Sequence, residues 1–191
     1  MGDFSDIVRA LRSIPGGLDR ATKRGLRRGA AIVLKRAKGK LGTYQPAIGD
    51  YPAWSKLKAE TVKRKHTSQS GRNKGKLTRA GKKYVQKHGS WGAGGNDDSP
   101  LVGISGHLRM ALTIDDSELE GKGVAYVGVA GGSQEQGKGS PADYAATHEF
   151  GDASRNIPQR SFLRPALHES RGDIKEEVAK EIISELRGRW R

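Results

Sequence analysis

A chain of 191 residues with 34% hydrophobic content, 27 glycines and 7 prolines can bury only a modest core and must spend much of its length in loops. It has no cysteine, which excludes disulfides and thiolate metal sites. No window approaches the apolar run of a membrane span, and the opening MGDFSDIVRA lacks a secretory apolar region, so the sequence predicts a soluble protein made in the cytoplasm.

The net charge of +14 is unevenly spread. Between Lys23 and His88, about twenty Lys and Arg face two acids, Asp50 and Glu60, an imbalance that points to a polyanion partner or a charged arm. From Gly89 onward acids outnumber bases slightly. Such a division favours contact with nucleic acid or head-to-tail contact between copies, with a solvated basic loop as the plainer alternative.

In chain order, Asp3 to Ile14 predicts a short helix with Phe4, Ile7, Val8 and Leu11 on one face, stopped by Pro15-Gly16-Gly17. A longer helix follows from Leu18 to Leu41, where Leu26, Ala30, Val33, Ala37 and Leu41 recur at helical spacing. Gly25 and Gly29 stand one turn apart inside it. Each costs about 1 kcal/mol relative to Ala; together they either admit a second backbone or are merely tolerated.

The stretch 42–106 offers ordered fragments, among them Tyr44-Gln45-Pro46, Trp54-Ser55-Lys56-Leu57 and a helix from Ala59 to Lys65. From His66 to Pro100 it is rich in Lys, Gly, Ser and Asn. Structureless loops beyond about 15 residues are uncommon in compact domains, so the expectation is an extended basic arm or insertion that partners would order. Strands are predicted at Met110 to Ile114 and Val124 to Val129, paired as a hairpin across Asp115 to Gly123. Ser140-Pro141-Ala142-Asp143 is a capped helix start, and that helix should run to Phe150 and end at Gly151. The last helix should start at Ser161 or at Arg164-Pro165, with Leu163, Leu167, Ile174, Val178, Ile182 and Leu186 as its apolar stripe.

Catalytic chemistry is hard to find. Gly132 to Gly139 nearly spells a phosphate-binding loop, but Gly139 stands where Ser or Thr should follow Lys138 to hold magnesium, and Ser140 comes one position late. The histidines 66, 88, 107, 148 and 168 are scattered. His148-Glu149 is half of a zinc-protease motif whose second histidine position holds Asp152, and Gly103-Ile104-Ser105-Gly106-His107 is not a nucleophile elbow. The sequence therefore predicts no catalytic residues, no cofactor and no metal.

Three landmarks resemble one family, in order. Trp54-Ser55-Lys56-Leu57 with Thr61 resembles a W-x-x-L-x-x-x-T segment. Pro100-Leu101 followed by Ser105-Gly106-His107-Leu108-Arg109 is similar to a P-L…T-G-x-L-R stretch, with Ser105 replacing Thr. Tyr144-Ala145-Ala146-Thr147-His148-Glu149-Phe150-Gly151, then Ile157-Pro158-Gln159-Arg160-Ser161-Phe162-Leu163-Arg164-Pro165-Ala166, resembles a Y-A-x-x-H-E-F-G…I-P-x-R-x-F-L-R-P-A signature. These belong to the tail-completion, or virion morphogenesis, proteins of the tailed-bacteriophage neck.

The resemblance implies a single α+β domain over residues 1–191. In it a small twisted antiparallel sheet is packed by a long N-terminal helix and a C-terminal helix; the basic arm or insertion, 42–106, is read from composition, and its part from Lys65 to Ser99 departs from the family pattern in being longer and more basic. It further implies a non-enzymatic subunit of a homo-oligomeric ring, hexameric in many tails, at the head–tail junction of the virion. There it would join the tail to the head connector beside neighbouring neck proteins and a tail tube or terminator protein. From the uncompensated charge, not from the resemblance, packaged double-stranded DNA or an acidic neighbour would meet Lys63, Arg64, Lys65, Arg72, Lys74, Lys76, Arg79, Lys82, Lys83 and Lys87. Tyr144, Phe150, Phe162 and Leu163 would serve as core packing, and Glu149, Arg160 and Arg164 as salt links between subunits. With Trp54, Leu57, Leu108, His148, Gly151, Pro158 and Pro165 they complete the signature set. The alternative reading is a basic, non-specific nucleic-acid-binding protein unrelated to phage necks.

Overall fold

The computed structural model describes residues 4–102, 107–130 and 140–189, with backbone only for 4–13 and 189. The chain is mixed helix and sheet. In order come α1 (Phe4–Lys40), α2 (Ala59–Lys65), α3 (Arg79–His88), α4 (His107–Ala111), β1 (Leu112–Asp115), α5 (Leu119–Lys122), β2 (Tyr126–Val129), α6 (Pro141–Phe150) and α7 (Leu163–Arg189). The chain divides into two compact units. One comprises Met1–Arg36, Thr113–Gly128 and Ala166–Arg191; the other comprises Ala37–Leu112 and Val129–Pro165.

The first unit is the long N-terminal helix, the hairpin and the long C-terminal helix. The two helical pieces expected before Leu41 are one helix of 37 residues with Pro15 inside it. Proline removes one backbone donor and crowds the preceding turn, but the helix continues on both sides and carries the defect. The apolar face assigned to Phe4, Ile7, Val8 and Leu11 lies outside the described side chains. Along α1 the inward positions are Gly17, Ala21, Gly25, Gly29 and Val33, a stripe of small residues at four-residue spacing.

That stripe decides how closely α7 approaches. A Cβ at Gly25 would lie 2.5 Å from Val178 Cα, and one at Gly29 would lie 3.0 Å from Ile174. Of the two sequence readings of these glycines, close backbone approach is the one realised. The close approach brings opposite charges into register along both helices. Arg24 reaches Glu181 at 2.8 Å and Glu185 at 3.1 Å, Arg28 reaches Glu181 at 2.6 Å, and Arg36 reaches Asp173 at 2.6 Å. Arg27 turns instead to the hairpin connection, meeting Asp116 at 3.0 Å and Glu120 at 2.9 Å. Such pairs contribute modestly one by one, and along one seam they fix helix register. Of the apolar stripe expected on α7, Ile174 and Val178 meet Gly29 and Gly25, Leu163, Ile182 and Leu186 are also half-buried, and Leu167 is exposed.

The hairpin forms as β1 paired with β2, each strand starting two residues later than expected. Residues 107–111 are helical, which puts Leu108 and Leu112 one turn apart and buried while Met110 points outward. Val124 lies outside β2 and is exposed. The connection is not plain loop but holds α5, with Leu119 fully buried.

In the second unit, the basic stretch expected as an extended arm is folded across all its described residues. Thr78 caps α3 by accepting from the Gly81 amide, and Gly89 ends it in a left-handed turn. Thr78 N–H donates to the His66 carbonyl at 2.9 Å, Ser68 N–H donates to Lys76 O at 2.9 Å, and Thr67 pairs with Leu77, so α2 and α3 are stapled by a tight connection. Val62, Tyr84 and Leu101 are buried. Composition misleads here because polar groups, described next, do much of the work usually left to apolar ones. The capped start of α6 forms as expected, with Ser140 and Asp143 in a reciprocal capping box.

The close α1–α7 seam yields a paired expectation. Gly25→Ala should cost about 1–3 kcal/mol by overpacking against backbone. Gly39→Ala, on the same helix with nothing within 4 Å of the new methyl, should gain about 0.5–1 kcal/mol. Urea unfolding of both variants checks the pair, and equal effects would contradict the seam.

Candidate functional site

The second unit gathers most of the signature residues around one carboxylate. A helix start leaves its first amides without intrahelical acceptors, and α7 begins after Phe162, which has no side-chain acceptor to cap with. Glu149, almost fully buried at the end of α6, supplies the missing one. One carboxylate oxygen accepts from the Phe162 amide at 2.8 Å and the Leu163 amide at 3.0 Å. The other accepts from the Arg164 amide at 3.0 Å and from Arg164 Nε at 3.0 Å. A negative charge at a helix N-terminus is also favoured by the helix dipole. Arg164 closes the arrangement by donating from Nη2 to the Glu149 carbonyl at 2.6 Å, with its guanidinium over the rings of Tyr51 and Phe150.

The loop between α6 and α7 then ties to the first landmark. Trp54, buried, donates from Nε1 to the Ser161 carbonyl at 2.9 Å. Arg160, also buried, donates from Nη2 to the Ser55 carbonyl at 3.1 Å, and its own amide donates to the His148 carbonyl at 2.7 Å. The Leu57 amide donates to the Tyr44 hydroxyl at 2.8 Å. Leu108 is buried in α4, which packs on α6. Segments that are a hundred residues apart in sequence are thus joined by backbone-directed hydrogen bonds.

Several expectations for individual signature residues are corrected. Phe162 is fully buried and Leu163 half-buried, but Phe150 is 66% exposed and Tyr144 44% exposed, so those two aromatics are not core. Phe150 follows Glu149 directly, and turning the carboxylate inward turns the ring outward. Glu149 pairs with Arg164 within the chain, and Arg160 donates to the Ser55 carbonyl. Gly151 adopts a positive φ of 79° at the α6 exit, Pro158 is exposed and Pro165 is buried.

His148 is 9% exposed, and its Nδ1 is buried without a hydrogen-bond partner among the described residues. Burial first, then the nearby charges of Arg160, Lys65 and Arg155, pushes it down to about 4. It is a neutral imidazole at physiological pH.

A second buried carboxylate organises the basic stretch and was missed in the sequence. Asp98 is fully buried. It accepts from the Tyr44 hydroxyl at 3.0 Å, from the Tyr84 hydroxyl, and from the Gly94 amide at 2.9 Å. Burial and then this carboxylate raise both tyrosines above their ordinary range. Tyr84 stacks on Trp91 with ring centroids 5.2 Å apart, and Trp91 on His66 at 5.8 Å. The available signal was local: Asp97-Asp98 is the first acidic pair after a long run of cations.

The ten nominated cations separate accordingly. Lys65 turns inward, donating to the Asp98 and Ser99 carbonyls, and burial lowers it to about 8. Lys87 pairs with Asp97 at 2.6 Å. Lys63, Arg64, Arg72, Lys74, Lys76, Arg79, Lys82 and Lys83 are exposed, and the described residues offer none of them a carboxylate partner. No group of His, Asp and Glu among the described residues could hold a metal ion. The near phosphate-binding loop at 132–139 and the Ser105-Gly106 part of the second landmark lie outside the described residues.

No family model matches the chain, and no solved structure does. A 44-residue segment is 43% identical to part of an uncharacterized protein of Methanocaldococcus jannaschii, covering 23% of this chain and 32% of that protein. The match thus spans about a third of that relative's length.

Glu149→Gln keeps the size but removes the charge that holds three amides and Arg164. It should cost about 2–4 kcal/mol in denaturant unfolding, as loss of one buried partner does. His148 sets a pH dependence. Its folded value lies below the ordinary 6.5, so the unfolded chain takes the proton first. Its contribution is complete above about pH 6.5 and is lost as pH falls to about 4, at no more than about 1.4 kcal/mol per pH unit. Thermal melts of the wild type should fall more steeply than those of His148→Gln across that window; parallel curves would contradict the burial argument.

Proposed function

We propose that this chain is a structural subunit of the tailed-phage neck, a tail-completion protein that closes into a homo-oligomeric ring, hexameric as in many tails, and joins the tail to the head connector. It works by assembly and catalyses nothing. It is made in the host cytoplasm and ends in the virion at the head–tail junction, beside neighbouring neck proteins and a tail tube or terminator protein.

The observation that carries this reading is what the third landmark does. Its charged residues Glu149, Arg160 and Arg164, the ones a catalytic reading would need free, are engaged in hydrogen bonds to backbone that hold α6, the first landmark and the start of α7 together. A signature used this way builds a rigid body. On that body Phe150 and Tyr144 stand exposed, and exposed large apolar side chains are what a neighbouring copy covers when contacts close by rotation.

Negative-stain electron microscopy of the concentrated protein should show rings, with a matching mass by light scattering. Phe150→Asp should abolish them while leaving the single subunit folded by circular dichroism. A strict monomer at every concentration, together with absence of the chain from tailed particles, would contradict the proposal.

A further inference from the structure

Cations are treated in two opposite ways in this chain. On α1, Lys23, Arg24, Arg27, Arg28 and Arg36 each face one or more carboxylates. At the α2–α3 junction the opposite holds. Lys63 and Arg64 end α2, Arg79, Lys82 and Lys83 begin α3, and none meets an acid among the described residues. The two groups abut because the Thr78 amide and hydroxyl both donate to the His66 carbonyl. The exposed turn between them adds Arg72, Lys74 and Lys76.

The placement also works against local stability. The first turn of α3 has no acidic residue, and cations near that end oppose the helix dipole. The scaffold beneath is fixed by Asp98 and the stacked Tyr84 and Trp91, so the charges are held rather than splayed.

We propose that this α2–α3 face binds a nucleic-acid duplex through its phosphate backbone, without reading sequence. Phosphate neutralisation needs exposed cations on a fixed surface and no base contacts. Single-strand binding would need aromatic platforms. Here Tyr84 is buried and Trp91 is already stacked against Tyr84 and His66, while α3 presents Arg79, Ala80, Lys82, Lys83 and Gln86 to solvent. The aromatic residues of the basic stretch are consumed by the fold, and the cations are left for the ligand. This inference goes beyond the ring reading and stands without it, since a monomer carries the same face.

The test is a salt titration of the full-length protein with a random-sequence DNA duplex, the matching single strand and poly-glutamate as competitor. For the wild type, log K should fall against log salt with a slope of about −4 or steeper, at about −0.9 per phosphate engaged. The single strand should bind more weakly. Arg79→Gln with Lys82→Gln and Lys83→Gln should reduce the slope by about 2 to 3 and weaken binding about tenfold or more at low salt. Its melting temperature should be unchanged or slightly raised. Lys122→Gln with Lys180→Gln, whose ammoniums already face carboxylates, should leave the slope unchanged. The proposal is overturned by absence of duplex binding at low salt, by an unaltered slope in the α3 triple variant, by tighter binding of the single strand, or by poly-glutamate competing as well as duplex. Ring formation is read separately by microscopy, so failure of one reading does not imply failure of the other.

Discussion

The second unit depends on one interaction, the Glu149 carboxylate set against the N-terminus of α7. Three amides that the helix cannot satisfy are buried there, and each unsatisfied buried donor would cost about 1–3 kcal/mol. An ordinary Ser or Asp cap would satisfy them locally and connect nothing. A carboxylate delivered from the end of α6 satisfies them and fixes the intervening loop as well, because Ser161 then accepts from Trp54 and Arg160 reaches Ser55. The charge itself is balanced by Arg164. A buried carboxylate is tolerable only when paired and hydrogen-bonded in this way.

Asp98 repeats the principle at a second place. Its partners are two tyrosine hydroxyls and a glycine amide, drawn from segments otherwise too polar to collapse by themselves. Hydrophobic burial sets the α1–α7 seam, where Ala21, Gly25, Ala30 and Val33 are inward. In the second unit buried carboxylates share that work with Phe162, Trp54, Val62 and Leu41. The charge pattern follows: acids are spent where helices must register and withheld from the α2–α3 face.

Local rules made much of the fold legible. The Ser140–Asp143 capping box and the hairpin rest on neighbouring residues and short periods, whereas the Gly25 and Gly29 pair left close approach and simple tolerance open until α7 was placed. Pro15 misled because a proline inside a long helix is a local defect, and the helix continues beyond it. The basic stretch misled because its core is polar; a hydroxyl–carboxylate cluster around Asp98 leaves no apolar periodicity to detect. The signature residues were identifiable, but their roles were not. Phe150 looked like core and is exposed, while Glu149, expected in a salt link between subunits, is a buried anchor within the chain. Burial of a carboxylate against a helix start is a long-range fact, set by the loop that returns residues 162–164 to α6.

Amide hydrogen exchange at Phe162, Leu163 and Arg164 tests this account most directly. First-turn amides of a free helix end exchange rapidly, since nothing within the helix holds them. If Glu149 anchors α7, these three should exchange as slowly as the interior of that helix, opening only with the unit as a whole, and should lose that protection in Glu149→Gln. Rapid exchange in the wild type, at the rate of a frayed end and indifferent to residue 149, would contradict it.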